Sequence, residues 1–408
     1  MEDLDQVLLV MAQKIGDFLP YIGGPEYAHI LVPLFESLCT IEEITTRTAA
    51  SASASKILSQ CSSVHSVSIQ AYYELFQRMS NEETGELLYG RVSACQMIPD
   101  LYRASSTADR PAVREIYGKL VVDDLAMVRR AAGLSFVKLA SFVEPEILSA
   151  EFLQLMKSTA SDEHATVKVI ATDNLCPFVS QLKQKGIAPA VIGEILPCIK
   201  SAVEDPSWRI RQSIAKNYGS FATSFTGAEV SSEIFPGAML LLQDAEPEVR
   251  TSVLQDIAAF VSVVMPSPFL GEFMPMTAQL VDDPVSNVRK VLAEVLIDIA
   301  AIVGVALADQ HITDILMKLI ADEDPLVRLR ILKKLNVLAE QAPGLCSRMT
   351  ESLKAMFKDT NWRVRKGLAL SMPSLVKSIS AEYFCDNFMA DFLLLLKVGT
   401  IRFLYDCS

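Results

Sequence analysis

The sequence predicts an all-α protein in which antiparallel helix pairs stack into a right-handed superhelix. Three observations lead to this fold class. One short motif recurs along most of the 408 residues at nearly constant spacing. Each interval between two motifs contains two stretches with apolar residues at helical spacing. Half of the residues are hydrophobic but only 7% are aromatic, a composition that suits a core of packed aliphatic helices.

The recurring motif is an Asp, four further residues, an aliphatic residue and then Arg or Lys. It occurs seven times in series, and consecutive basic residues lie 37 to 43 residues apart, most often 39. The seven pairs are Asp123–Arg129, Asp162–Lys168, Asp205–Arg211, Asp244–Arg250, Asp283–Arg289, Asp322–Arg328 and Asp359–Arg365. Upstream, Arg47 and Arg91 keep the same phase without the Asp. A series this regular defines the repeat unit.

The segment 272–304 shows how one unit is built. Apolar residues predict a first helix around Phe273–Leu280, and Asp-Asp-Pro at 282–284 predicts a turn. A second helix is predicted from Val288 to Val303, and Gly304 supplies a stop signal.

A period near 39 residues with two helices per unit is typical of HEAT repeats. One helix pair cannot bury its apolar face alone, so the pairs are expected to stack into a continuous solenoid. We therefore predict a single array over residues 1–408. It would consist of a partial repeat at 1–20, about nine full repeats at 23–381, and an incomplete helix with an atypical tail at 382–408.

The motif residues are predicted to have a structural role. Each Asp can accept backbone N–H bonds at the start of the second helix. Each Arg could reach the carboxylate of the same repeat or of the next one. Repeated along the array, such contacts would form a polar ladder between layers.

Several function classes are disfavoured by composition and motifs. The formal net charge of −12 argues against a binder of nucleic-acid phosphates. The longest apolar stretches are too short to span a bilayer, and the acidic first residues are unlike a secretory signal. The four histidines are scattered, and the eight cysteines form no C-x-x-C pair, so no metal or cofactor is predicted. We expect a protein without catalytic activity in the cytoplasm and nucleus.

An ordered set of markers carries a closer resemblance. It comprises Ile-Gly-Gly-Pro-Glu-Tyr-Ala-His at 22–29, Arg-Val-Ser-Ala-Cys at 91–95, Asp-Asp-Leu-Ala-Met-Val-Arg-Arg-Ala-Ala at 123–132, Trp-Arg-Ile-Arg at 208–211 and Trp-Arg-Val-Arg at 362–365. From residue 1 to about residue 384, the chain resembles the scaffold (A, 65 kDa) subunits of type 2A serine/threonine protein phosphatases, shortened at both ends.

The resemblance implies a scaffold that carries two partners. Family members bind a regulatory (B-type) subunit on their N-terminal portion and the catalytic subunit on their C-terminal repeats. Both partners dock on the turns that join the two helices of each repeat. In this register the chain starts inside the second repeat and lacks the last four, so we expect catalytic-subunit binding to be weak.

Candidate contact residues lie on these turns. The resemblance matches Trp208, Arg209, Asp124 and Arg130 to regulatory-subunit contacts, and Trp362 and Arg363 to catalytic-subunit contacts. Arg129 is assigned to the ladder, which leaves Arg130 for a partner. The acidic turns add Glu42, Glu43, Asp162 and Glu163, which would complement a basic regulatory subunit. Asp162 has a competing role in the ladder.

Two other functions are open to a protein of stacked helix pairs. A different HEAT-repeat adaptor, such as a nuclear transport receptor, would show less regular repeats and acidic cargo-binding loops. A HEAT-type hydroxylase or lyase would need clustered histidines and carboxylates as metal ligands, which four scattered histidines do not supply. The regular ladder and the ordered markers favour the phosphatase scaffold.

Overall fold

Every regular element in the described part of the chain is helical. The computed structural model describes residues 2–80, 88–265, 269–335, 337–338 and 348–395, and no β-strand occurs within these ranges. The predicted all-α class is therefore confirmed. None of the helices in these ranges combines the length and apolarity needed to cross a bilayer. The chain divides into two compact units, Met1–Ala202 (unit 1) and Val203–Ser408 (unit 2). The single array over residues 1–408 stays a prediction.

Unit 1 is built from successive pairs of a first and a second helix, and some first helices are divided into shorter segments. Its α-helices are α1 (Glu2–Lys14), α2 (Val32–Thr40), α3 (Ile44–Gln60), α4 (Ser66–Met79), α5 (Leu88–Ala104), α6 (Arg110–Val121), α7 (Ala126–Phe142), α8 (Pro145–Ile147), α9 (Leu153–Ala160), α10 (Ala165–Gln184) and α11 (Pro189–Gly193), with α12 (Leu196–Val203) at the boundary. Short 3₁₀ segments occupy Ile15–Asp17, Leu19–Ile22 and Pro25–Leu31, and a π-helical turn occupies Leu148–Phe152.

Unit 2 continues the same alternation. Its α-helices are α13 (Trp208–Ala215), α14 (Gly227–Glu229), α15 (Phe235–Leu242), α16 (Pro247–Asp256), α17 (Ala258–Val264), α18 (Met274–Leu280), α19 (Ser286–Val303), α20 (Val305–His311), α21 (Thr313–Ile320), α22 (Pro325–Lys333), α23 (Thr350–Met356), α24 (Trp362–Ile379) and α25 (Ala381–Asn387). A 3₁₀ segment occupies Tyr218–Thr223, and π-helical turns occupy Val230–Ile234 and Phe269–Phe273. Residues 389–395 are helical as well.

The second helices begin and end close to the predicted positions. Helix α19 starts at Ser286, three residues after Asp283, and ends at Val303 before Gly304. Gly304 has φ +83°, a conformation that costs a glycine little because it has no Cβ. The first helices are less regular than predicted, since π-helical turns interrupt three of them.

Recurring prolines mark the first turn of the first helices. Pro33, Pro197, Pro236 and Pro275 are each the second residue of their helix, in α2, α12, α15 and α18. The first helical turn needs no N–H donor for an intrahelical bond, so proline is tolerated there and fixes the helical φ in advance. This explains why each of these prolines lies fourteen residues before the basic residue of its motif.

The core of each unit lies between the first helices and a row of second helices. In unit 1, α3 packs between α1 and α5, and α7 packs between α5 and α10. In unit 2, α16, α19, α22 and α24 pack in series. Several aromatic residues lie deep in these cores, among them Tyr102, Phe136 and Phe178 in unit 1 and Phe235 and Phe260 in unit 2.

The junction between α24 and α25 contains a strained residue. Ser380 has φ +80° and ψ 151°, nearly the conformation of Gly304 at φ +83° and ψ 167°. Both residues end a second helix and begin the next first helix, two repeats apart. An L-residue with a Cβ is disfavoured in this region, so Ser380 carries backbone strain of about 1–3 kcal/mol.

We predict that Ser380→Gly stabilises unit 2. The substitution removes the strain but also a side-chain cap, in which the Ser380 hydroxyl accepts the Tyr383 N–H at 3.3 Å. Replacing a capping Ser by Gly costs only a few tenths of a kcal/mol. The net gain should be about 1 kcal/mol in the free energy of unfolding, measured by urea denaturation.

The reverse substitution is the matched control. Gly304 is exposed, and a Cβ built there would meet no atom within 4 Å, so only the backbone conformation opposes a side chain. Gly304→Ser should therefore destabilise the protein by about 1–2 kcal/mol. Equal stability of both variants and the wild type would refute the assignment of strain.

Candidate functional site: the inter-helix turns

Most of the turns between a first and a second helix are organised by a guanidinium group. In unit 1, Arg129 donates from Nε and Nη2 to the two carboxylate oxygens of Asp162 at 2.7 and 3.0 Å. Its Nη1 donates to the backbone oxygen of Asp123 at 2.8 Å. The Asp162 carboxylate in turn accepts the His164 N–H at 2.8 Å. A single side chain thus ties its own turn to the turn of the following repeat.

The same set of bonds recurs through unit 2. Bidentate pairs join Arg211 to Asp244, Arg250 to Asp283, Arg289 to Asp322 and Arg328 to Asp359, with Nε–O distances of 2.5 to 2.8 Å. Each of these arginines also donates to the backbone oxygen of the Asp six residues before it. The sequence left open whether each arginine reaches the carboxylate of its own repeat or of the next one. In the structure it binds the carboxylate of the next repeat and a backbone oxygen of its own repeat.

The Asp side chain has the second function that the sequence suggested. The carboxylate of Asp283 accepts the Val285 N–H at 2.9 Å, and that of Asp123 accepts the Leu125 N–H at 2.9 Å. These bonds fold the chain back on itself just before the second helix begins. One carboxylate therefore starts a helix and receives an arginine from the repeat before it.

The ladder changes at its upstream and downstream positions. Arg91 pairs with Asp123 at 2.9 Å. Arg47 donates to the backbone oxygen of Ile41 at 2.8 Å, and its guanidinium lies 4.5 Å from the centre of the Tyr89 ring. At the other end, Arg365 donates to the backbone oxygen of Asp359 at 2.6 Å. At the upstream end, the Tyr89 ring thus faces Arg47, whereas in the later repeats an aspartate faces the arginine.

The ladder groups are largely withdrawn from water. The side chains of Arg250 and Asp283 are only 11% and 5% exposed. Burial by itself raises the pKa of Asp162, but the Arg129 guanidinium and the His164 N–H outweigh it and hold the pKa of Asp162 below its usual value. Burial also raises the pKa of Asp244, but the Arg211 guanidinium and the Glu246 N–H outweigh it. The pKa of Asp244 therefore lies below its usual value as well. Both carboxylates are therefore stabilised in their charged form.

The acidic turn before α3 is a helix cap. Glu43 accepts the backbone N–H groups of Thr45 and Thr46 at 2.9 and 2.6 Å. These bonds, from Thr46 and then Thr45, lower the pKa of Glu43 to about 2. Its neighbour Glu42 is exposed. A partner would therefore find Glu42 available and Glu43 engaged, and a partner role for either stays a prediction.

The turn at 122–130 presents polar and apolar side chains together. Asp124 and Arg130 are exposed, while Arg129 is buried in the ladder, as the sequence assignment requires. Sequence reasoning missed the apolar neighbours Val122, Leu125 and Met127, which are 62%, 42% and 54% exposed. The signal was present, because apolar residues flank an Asp-Asp pair in a turn where solvent-exposed polar residues are expected.

The turn at 162–164 shows which of its two predicted roles Asp162 has, a place in the ladder or a contact with a partner. Its carboxylate is held by Arg129 and is not free to meet a partner without breaking the ladder. Glu163 is fully accessible, with its side chain 89% exposed and one oxygen 3.6 Å from Arg129. Of the two residues, Glu163 is the one positioned for a contact.

Both tryptophans lie at the start of a second helix beside an arginine. The Arg209 guanidinium lies 4.9 Å from the Trp208 ring centre, and the Arg363 guanidinium lies 5.1 Å from that of Trp362. Trp362 is 51% exposed, whereas Trp208 is half-buried. Exposed aromatic and arginine side chains are typical anchors of protein interfaces.

Comparison with known proteins finds phosphatase 2A regulatory (A) subunits among the proteins similar to this chain. It is 39% identical over 152 residues to the alpha isoform of the phosphatase 2A 65 kDa regulatory (A) subunit of Arabidopsis thaliana. It is 30% identical over 220 residues to the phosphatase PP2A regulatory (A) subunit of Schizosaccharomyces pombe, and 29% identical over 344 residues to the human beta isoform. Over the aligned residues, the chain is therefore similar to regulatory (A) subunits of phosphatase 2A from a plant, a yeast and a human.

The chain spans about half or less of the length of each of these relatives. The alignments cover 37%, 53% and 83% of the chain and 25%, 36% and 55% of the three relatives. No family model matches the chain.

Solved structures confirm the fold at low sequence identity. Importin beta matches 94% of this chain and 51% of its own, with a TM-score of 0.62 at 14% identity. The karyopherin Kap121p matches 91% and 40%, with a TM-score of 0.60 at 13% identity. At this identity the likeness extends to the helical-repeat fold alone.

We predict that removing one ladder carboxylate is costly. Asp283→Ala leaves the Arg250 guanidinium buried without its partner and removes the acceptor of the Val285 N–H. The free energy of unfolding should fall by about 3 kcal/mol, since breaking a buried pair strands a charge. The double variant Arg250→Met, Asp283→Leu should recover most of the loss, measured by urea denaturation and hydrogen exchange in α16 and α19.

An exposed pair on α6 provides the matched control. Lys119 and Glu115 form an i,i+4 ion pair at 3.0 Å with side chains 68% and 70% exposed. Glu115→Ala should change stability by less than about 0.5 kcal/mol, because water screens such pairs. If Asp283→Ala cost no more than Glu115→Ala, the ladder would not stabilise the stack.

We also predict a loss of stability in acid that depends on the ladder. The pKa values of Asp162 and Asp244 are lowered in the folded protein, so their contribution is complete above the unfolded value near 3.8 and is lost as pH falls through the lower folded values. Stability from these groups should thus be flat at neutral and mildly acidic pH and decline below about pH 4.

The test compares the wild type with Arg129→Gln across this pH range. The variant removes the guanidinium that lowers the pKa of Asp162, so its unfolding free energy should fall less steeply in acid. Parallel pH profiles for the two proteins would contradict the proposed coupling.

Proposed function

We propose that this chain is a non-catalytic scaffold of a type 2A serine/threonine phosphatase. The observation that carries the proposal is its sequence similarity to phosphatase 2A regulatory (A) subunits of a plant, a yeast and a human. Those relatives are named as regulatory subunits, which supports a role without catalysis. Cytoplasmic and nuclear localisation stays a prediction.

The regulatory (B-type) subunit is proposed to dock on exposed side chains of the inter-helix turns. In unit 1 these are Asp124, Arg130 and Glu163, with Glu42 on an earlier turn. The apolar side chains beside Asp124 add area that loses water on contact, which a purely charged surface would not provide. In unit 2 the Trp208–Arg209 pair offers the same combination of aromatic and cationic surface.

The catalytic subunit is proposed to contact Trp362 and Arg363. Both side chains are exposed at the start of α24, and their mutual contact holds the guanidinium beside the indole ring. We expect weak binding, since the resemblance matches these two side chains alone to that partner.

The mechanism is one of positioning. Two partners bound to one chain meet at an effective concentration set by the spacing of their sites and not by free diffusion. In a repeat protein each repeat contacts the repeats next to it. The ladder residues that fix the turns therefore also fix the spacing of the docking side chains. A nuclear transport receptor, the alternative function, has support from the fold alone.

We predict that Arg130→Glu and Trp208→Ala each weaken capture of a phosphatase regulatory subunit. Reversal of an exposed interface charge or loss of an aromatic anchor typically costs about 1–2 kcal/mol, or roughly tenfold in Kd. The measurement is a titrated pull-down of purified regulatory subunit with the tagged chain, followed by surface plasmon resonance.

Lys14→Glu is the matched control for Arg130→Glu. Lys14 is exposed at the C-terminal end of α1, away from the inter-helix turns, so placing a negative charge there should leave Kd nearly unaltered. Circular dichroism would verify that Trp208→Ala stays folded. Unchanged affinity in both turn variants would refute docking at these positions.

A further inference from the structure

A groove beside Trp362 extends beyond the two side chains assigned to the catalytic subunit. It is an open groove with a volume of about 500 Å³, within the range of ligand-binding clefts. Its walls come from the facing sides of α22 and α24, and it lies within unit 2. The lining residues are Leu329, Lys333, Trp362, Arg363, Lys366, Gly367, Leu370, Ser371 and Ser374.

The apolar floor of the groove is exposed to solvent. Leu370 is 71% exposed and Trp362 is 51% exposed, although both are large and apolar. Leu329 also lines the groove and is half-buried, and a Cβ added to Gly367 would come within 2.6 Å of its Cδ1. The glycine thus leaves room for Leu329 at the bottom of the groove. Covering this surface with a partner's apolar side chain would be favourable.

Three cations surround this floor. Lys333, Arg363 and Lys366 are all exposed, and the charges of Arg363 and Lys366 lie 5.1 and 5.9 Å from the Trp362 ring centre. No salt bridge joins any of the three to a carboxylate within the described residues. Neighbouring cations on α22 and just beyond its end are engaged, since Arg330 pairs with Glu294 and Lys334 with Asp298.

The groove concentrates positive charge on a chain that is acidic as a whole. The formal net charge is −12, yet three cations and no carboxylate line the groove among the described residues. A low-dielectric floor strengthens the attraction between these cations and an incoming anion. An apolar floor within a cationic rim therefore selects a ligand that is both acidic and partly apolar.

We propose that the groove binds a linear peptide segment in which one or two large apolar side chains are flanked by Asp or Glu. The apolar side chains would cover Leu329 and Leu370, and the carboxylates would pair with Lys333 and Lys366. This proposal deepens the scaffold function and rests on it, because it names the chemistry of the partner segment that meets the chain beside Trp362 and Arg363.

The test uses a short fluorescent peptide in which a Leu-Phe pair is flanked on both sides by Asp and Glu. Binding to the full chain is followed by fluorescence anisotropy at two salt concentrations. We expect saturable binding that weakens as salt rises, because the cations are exposed. A peptide with Lys in place of the acidic residues, and one with Gly-Ser in place of Leu-Phe, should each bind at least about tenfold more weakly.

Charge reversal within the groove supplies the decisive comparison. Lys366→Glu should raise the Kd for the peptide about tenfold or more. Lys377→Glu makes the same charge change at an exposed position of α24 outside the groove and should leave the Kd within about twofold of the wild type. Equal binding by both variants, or no binding by the wild type, would overturn the proposal.

Intrinsic fluorescence locates the bound peptide. The chain has two tryptophans, so Trp208→Phe leaves Trp362 as the sole indole reporter. Its emission should shift as the peptide covers it. Saturable anisotropy without any change in Trp362 emission would place the peptide elsewhere and overturn the proposal.

A parallel pull-down separates this inference from the scaffold proposal. If the chain captures phosphatase subunits but the peptide fails to bind, the groove proposal is wrong and the scaffold stands. If the peptide binds in the groove and no phosphatase subunit is captured, the scaffold proposal fails and the groove remains a site for acidic segments.

Discussion

The arrangement of the repeats depends on one bidentate contact, between a buried arginine and the aspartate of the following repeat. The Arg250 guanidinium illustrates it. Two of its nitrogens donate to the carboxylate of Asp283, and the third donates to the backbone oxygen of Asp244 in its own turn. Because the guanidinium is planar and its donors are fixed, it sets the distance and the orientation of two successive turns together. Arginine supplies this fork, and a lysine at the same position would supply a single donor group.

The ladder also decides which turn residues remain available to partners. The aspartate and the arginine turn inward, and the residue immediately after each of them can be directed to solvent. Glu163 follows Asp162 and is exposed, and Arg130 follows Arg129 and is exposed. Structural and docking positions therefore alternate within a few residues of each other. A scaffold can change its docking residues in this arrangement while its repeats keep their spacing.

Much of the architecture could be read from periodicity, and the docking surface only in part. The helix predicted from Val288 to Val303 is present as Ser286–Val303, since apolar spacing and a terminal Gly are local signals. The irregular first helices were not foreseen, because the π-helical turn at Phe269–Phe273 has no simple periodic signature. The exposed Val122 and Met127 and the groove at Leu370 were missed for a different reason. An apolar residue on a helix or beside its end has the same sequence pattern whether a neighbouring helix covers it or not.

The sequence by itself determined the repeat length, the helical class and the positions of the Asp and Arg residues that pair, because these properties follow from residue spacing along one chain. Only the tertiary structure decided that Arg129 grips the carboxylate of Asp162 and not that of its own Asp123, that Glu43 is a helix cap, and that Lys333 and Lys366 meet across an apolar groove. These facts depend on how neighbouring helices approach one another. Spacing along the chain leaves that approach open, and side-chain packing between repeats fixes it.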